Sequence, residues 1–120
     1  MKYLIVLSLL FGFSTSHALA ADKWMSEYKF KSHTKKMKRN KMRPTSVTCR
    51  SKSTASIKPE LKASWAPDSG KKEWALYHYK GLMEWRPGHP STWKQWRRVS
   101  NKVLVGKGGA KYRCALFYKK

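Results

Sequence analysis

Tryptophan and basic residues interleave most densely near the C-terminal third, where Trp85, Arg86, Trp93, Lys94, Trp96, Arg97 and Arg98 stand close together. These types have a shared chemical use. An indole face stacks on a base or sugar ring and anchors at a lipid interface, while a guanidinium forks onto phosphate or carboxylate. Where a base is the partner, stacking contributes about 1–3 kcal/mol per ring. The same rings also serve packing, and in a small domain many tryptophans are mostly buried. Trp96 is therefore expected in the core and Trp93 as the more exposed ring. Arg86, Trp93, Lys94, Arg97 and Arg98 are the ligand-contact candidates here. In composition alone the segment resembles Trp/Arg-rich membrane-active peptides.

A second candidate lies earlier in the chain. Lys29, Lys31, Lys35, Lys36, Lys38, Arg39, Lys41 and Arg43 follow one another with no acid between Glu27 and Glu60. Taken together, Phe30, Met37 and Met42 define no common helix or strand face, and like charges at this density oppose a regular element in isolation. The expectation is a basic, mostly flexible arm over residues 21–44, ending at Pro44. It would lie down on a polyanion and order there, with Lys35, Lys36, Lys38, Arg39, Lys41 and Arg43 as contacts.

Catalytic candidates are sparse. A small secreted nuclease needs a base, an acid and a cation on the phosphate, and histidine has a suitable pKa for proton transfer. His78, Glu84 (or Glu73) and His89 would fill those roles beside Arg86, but no spacing among them is diagnostic of an enzyme. The sequence has no C-x-x-C or H-x-x-x-H pattern, and its positive field opposes cation capture, so neither a metal nor a cofactor is expected. Gly106, Gly108 and Gly109 lack phosphate-loop spacing and read as a hairpin turn.

The elements that must position these groups begin after residue 20. Lys2, the apolar run over residues 4–13 and Ala18-Leu19-Ala20 have the plan of a secretory signal peptide over residues 1–20. The apolar run is too short to span a bilayer, so no transmembrane segment is expected in the mature chain. The expectation is export to the periplasm or the extracellular medium after cleavage near Ala20. What remains is about 100 residues, enough for one domain. The formal charge of the whole chain is +21, with six acids against 27 basic residues. Such an imbalance opposes compactness by self-repulsion and points to an anionic partner.

Two cysteines in an exported chain read as one disulfide, Cys49 with Cys114. Closing a loop of about 65 residues stabilises by roughly 4 kcal/mol in the chain-entropy model. Both cysteines sit in alternating runs. Ala110, Tyr112, Cys114, Leu116 and Tyr118 share one parity against Lys111 and Arg113, as a half-buried strand requires. Val47, Cys49, Ala55 and Ile57 share another, one long strand or two in phase. After Pro59, Leu61, Ala63 and Trp65 resume the apolar parity. Pro67-Asp68-Ser69-Gly70 is turn chemistry, and residues 73–80, apolar or aromatic on both faces, read as a return strand, central or with a ligand-facing side.

Thr92-Trp93-Lys94-Gln95 has the form of a capping box and predicts a short helix over about 93–100, ended by Asn101. A hairpin through the glycine turn follows. The fold class expected is mainly β: a small antiparallel sheet or partly open barrel, with one short helix, stapled by one disulfide and preceded by the basic arm. The single disulfide-stapled domain would occupy residues 45–120. The function expected is binding of a polyanion: nucleic acid, lipopolysaccharide, anionic lipid or acidic glycan. The alternatives are an inhibitor, immunity or interaction protein docking on an acidic protein, and the small secreted nuclease.

Overall fold

The computed structural model describes residues 23–70, 73–81 and 86–120. The leader expected over residues 1–20 lies outside them, as do Glu84 and Trp85. Among the described residues the chain is mainly β, as expected: two three-stranded antiparallel sheets, one α-helix, and a disulfide joining Cys49 to Cys114. The first sheet has the order β1 (Met25–Ser26), β3 (Pro59–Pro67), β2 (Met42–Ser51). The second has the order β4 (Trp74–Lys80), β6 (Lys111–Lys119), β5 (Trp96–Val105).

The inward parities of the sequence define the core. Val47 and Cys49 from β2, Leu61, Ala63 and Trp65 from β3, and Tyr112, Cys114 and Leu116 from β6 are buried together. The disulfide therefore ties β2, at the edge of one sheet, to β6, at the centre of the other. Phe117 and Ala115 point to the opposite face of β6 and are buried as well, with Tyr77 set edge-on against Phe117. That makes β6 a strand covered on both faces. The double-faced apolar pattern of residues 73–80 predicts a central strand or one with a ligand-facing side. Among the described strands β4 is an edge strand paired with β6, and its residues are half-buried on both faces up to exposed Lys80.

The expected turns are present. Asp68 Oδ1 accepts the Gly70 N–H at 3.0 Å, with Gly70 at positive φ. The β5–β6 connection passes through residues 107–109, where Gly108 and Gly109 take positive φ that only glycine adopts cheaply. The run from 45 to 58 is one strand and a loop. β2 ends at Ser51, whose hydroxyl organises that loop by donating to Ser53 O and accepting from Lys58 N. Pro59 stands first in β3, where its missing N–H is tolerated.

Two expectations are corrected. The basic arm is a helix, α1 (Glu27–Arg39), followed directly by β2. Phe30, His33, Thr34 and Met37 recur at i, i+3, i+4 and i+7, one helical stripe, and Phe30 is only 1% exposed. Met42 hid that stripe, because it belongs to the next strand. The Ser26 side chain caps the helix by accepting the Lys29 N–H at 3.3 Å. Glu27 in the first turn and Lys36, Lys38 and Arg39 in the last complement the helix dipole. Packing of one apolar stripe thus outweighs repulsion among lysines that point outward.

The second correction concerns residues 93–100. A 3₁₀ turn (Pro90–Gln95) is capped by the His89 side chain, which accepts the Ser91 N–H, and Thr92 Oγ1 donates to His89 O. From Trp96 the chain is strand β5. A long ladder with β6, from Trp96 opposite Lys119 to Val105 opposite Lys111 with a bulge at Val99, outweighs a weak local helical signal.

Candidate functional site

Aromatic and basic side chains meet at one end of the space between the two sheets. β2 enters there from α1, and β3, β4, β5 and β6 all have an end there. Across the second sheet Trp74, Tyr118 and Arg97 stand in one row, Trp74 opposite Tyr118 and Tyr118 opposite Arg97. From the first sheet Trp65 lies opposite Pro44. Its ring meets Trp74 edge-on with centroids 6.1 Å apart, and His33 of α1 meets Trp65 edge-on at 6.0 Å.

Tyr118 is the pivot. Its hydroxyl donates to Pro44 O at 2.6 Å and accepts from Arg43 Nη1 at 2.9 Å. The bulge between Pro44 and Ser46 leaves Thr45 out of the ladder, and Tyr118 reaches the Pro44 carbonyl beside it. The ring carries two cations. The guanidinium of Arg43 lies 5.7 Å from its centroid and that of Arg97 5.9 Å. On the neighbouring ring, Lys38 Nζ lies 5.4 Å from the Trp74 centroid. Such contacts contribute about 0.5–1 kcal/mol each at exposed sites. Here they also fix where the charges sit.

Among the described residues the acids near this end already have partners. Glu73 pairs with Lys119 at 3.7 Å, and Asp68 caps its own turn. Among the described residues neither Arg43, Arg97 nor Lys38 makes an ion pair. Glu60, further along β3, takes Arg50 at 3.0 Å, while Arg50 and Lys62 lie 4.3 and 4.6 Å from the Trp24 ring centroid. His33 has its pKa pushed down, first by burial and then by Lys36, which favours its neutral form.

Of the ligand candidates read from the sequence, Lys35, Lys36 and Arg39 are exposed on the outward side of α1. Lys41 is exposed just beyond it, at positive φ. Lys38, Arg43 and Arg97 come together at the aromatic end. Lys94 and Arg98 are exposed nearby in sequence, on the 3₁₀ turn and at the β5 bulge. Arg86 and Trp93 are half-buried, and the Trp93 indole N–H donates to Gly88 O at 3.2 Å, which holds that loop. Trp96 is half-buried with Lys119 Nζ 6.0 Å from its ring centroid. Tyr118, Trp74, Trp65 and His33 were not singled out as site residues. Tyr118 and Trp65 fall on inward parities in the sequence and Trp74 in a run apolar on both faces, but no alternating pattern covers His33, and none marks Tyr118 as a neighbour of Arg43.

A separate polar cluster joins α1 to the second sheet. The Tyr112 hydroxyl donates to Glu27 Oε2 at 2.7 Å, and His78 Nδ1 lies 3.2 Å from that hydroxyl and 3.4 Å from the same carboxylate oxygen. Burial first, then the hydrogen bond and charge of Glu27, hold the Tyr112 phenol well above its usual pKa. The carboxylate beside His78 is thus Glu27. Glu84 lies outside the described residues, and His89 Nδ1 is taken up by Ser91.

No protein-family model, curated protein or solved structure matches this chain. Its class is defined by what it is built from: a small disulfide-bridged domain of two antiparallel sheets with a basic helix packed on them. Among the described residues no helix is long and apolar enough to cross a membrane.

Proposed function

We propose that the domain binds a polyanion outside the reducing cytosol, through the outward face of α1 and the adjoining basic aromatic end. The observation that supports this is a set of cations that make no ion pair with an acid among the described residues. Lys31, Lys35, Lys36 and Arg39 cover one side of a rigid helix, and Lys38, Arg43 and Arg97 continue that surface at the aromatic end. Gathering like charges on a folded surface costs stability, and an anionic ligand turns that repulsion into attraction. Export is supported by the leader-like residues 1–20 and by the Cys49–Cys114 bridge, which persists in oxidising compartments.

The contact is electrostatic rather than insertional. The large apolar side chains most exposed among the described residues are Tyr28 and Val105, at 81% and 68%, and two residues make a poor membrane anchor. The test is the salt dependence of binding to duplex DNA, heparin and lipopolysaccharide. Affinity for at least one should fall linearly on a log–log plot, with a slope of about 0.9 per phosphate neutralised for duplex DNA. Salt-insensitive or absent binding to all three would remove the proposal.

A further inference from the structure

We propose that Arg43 and Arg97 form a discrete site for one tetrahedral oxyanion, a terminal phosphate or sulfate ester group, at the mouth between the two sheets. This deepens the polyanion proposal and rests on it for the class of ligand. The two guanidinium groups come from different sheets, Arg43 from β2 and Arg97 from β5, and share the Tyr118 ring at 5.7 and 5.9 Å. Arg43 is half-buried and anchored by one hydrogen bond to Tyr118 Oη, whose own proton is committed to Pro44 O. A guanidinium has five N–H donors, so most of Arg43's remain for a ligand. Arg97 is exposed and makes no ion pair among the described residues.

Two guanidinium groups held within 6 Å of one ring centroid gather like charge around it, which an anion reaching both would relieve, and each offers a planar fork that fits a pair of oxygens. The forks approach from separate strands, so they require two different oxygen edges. A carboxylate has one edge, and so does an internal phosphodiester, with two non-bridging oxygens. A phosphate or sulfate monoester has three terminal oxygens and satisfies both forks. The site therefore favours the end group or pendant ester of a polymer over its diester backbone. Lys38, held over Trp74 in the next position of the same row, adds long-range attraction.

The test is an NMR titration of the oxidised protein with methyl phosphate, methyl sulfate, dimethyl phosphate and acetate, following the arginine side-chain N–H signals. Methyl phosphate or methyl sulfate should shift the Arg43 and Arg97 signals together along one saturable isotherm. Whichever of the two binds tighter assigns a phosphorylated or a sulfated source. Dimethyl phosphate and acetate should bind about tenfold more weakly, the loss of one charged hydrogen-bonding fork.

Arg97→Lys keeps the charge and should still lose about tenfold for the monoester. Tyr118→Phe, which removes only the hydroxyl fixing Arg43, should weaken it as well. Lys107→Gln, in the far β5–β6 turn, should leave the affinity within about twofold. Equal binding of diester and monoester, or shifts spread over all surface lysines without saturation, would overturn the site. If wild-type protein nonetheless binds DNA, heparin or lipopolysaccharide with a steep salt slope, the polyanion proposal survives that result. If no salt-dependent binding is found at all, both fall.

Discussion

The Ser100 hydroxyl takes both backbone groups of Val47, accepting its N–H at 3.1 Å and donating to its carbonyl at 2.8 Å. Val47 lies on β2, an edge of one sheet, and Ser100 on β5, an edge of the other. The bulge between Arg98 and Ser100 leaves Val99 out of the β5–β6 ladder, where Ser100 turns toward Val47. One side chain thus substitutes for a missing strand at a seam where two edges meet. Ser100→Ala should leave a buried donor and acceptor unpaired and cost about 1–3 kcal/mol, read from the urea unfolding midpoint. An unchanged midpoint would mean that water satisfies the seam.

Phe30 decides whether α1 is part of the fold. Phe30→Ala should destabilise by about 3–5 kcal/mol and lower helical circular dichroism, because it removes the most buried residue of the stripe. Tyr28, two residues away and 81% exposed, should tolerate Ala within about 0.5 kcal/mol. Equal effects at both positions would indicate a loosely attached helix.

His33 gives the fold a pH dependence on the acid side. Its folded pKa lies below the ordinary value near 6.5, so below that value the unfolded chain binds more protons than the native one. Its contribution is complete above pH 6.5 and is lost as pH falls toward the depressed folded value. His33→Gln should flatten the stability profile in that window, while wild type loses stability from about pH 6.5 downward. Identical slopes in the two proteins would exclude His33 as the source.

Tyr112 acts at the alkaline end. Its folded pKa is raised, so the stability it contributes is present below the unfolded value near 10 and is lost as pH rises beyond it. Tyr112→Phe should cost about 1–2 kcal/mol at neutral pH through the lost bond to Glu27, and should reduce the alkaline loss. Urea unfolding at neutral and alkaline pH checks both parts.

Neutralising the outward helix face separates charge from folding. Lys31, Lys35 and Arg39 are exposed and lie off the apolar stripe, so their joint replacement by Gln should leave thermal stability nearly unchanged or raise it slightly. The log–log salt slope for duplex DNA should drop by up to about one unit per residue. An unaltered slope would place the ligand away from α1.

Much of the fold was legible in the residues. Two-residue periods around Cys49 and Cys114 marked strands that face each other, and the count of two cysteines marked their bridge. Pro67-Asp68-Ser69-Gly70 and the glycines at 106, 108 and 109 marked turns. These signals are short-range: a strand's parity, a turn's dihedrals and a cysteine count are properties of neighbouring residues. The helix was also written there, as Phe30 and Met37 seven residues apart, but the lysine run and Met42 obscured it. Thr92 to Gln95 misled in the other direction, because a local capping pattern carries less free energy than a ten-residue strand's ladder.

What the sequence alone determined was a mainly β domain with a surplus of cations, a disulfide register and inward parities. Only the tertiary structure decided that Arg43 and Arg97 share one tyrosine ring. Their meeting depends on which sheet edges close together, on a bulge after Pro44, and on Tyr118 reaching across to its carbonyl. Those are outcomes of packing between distant segments, and no local pattern of residues encodes them.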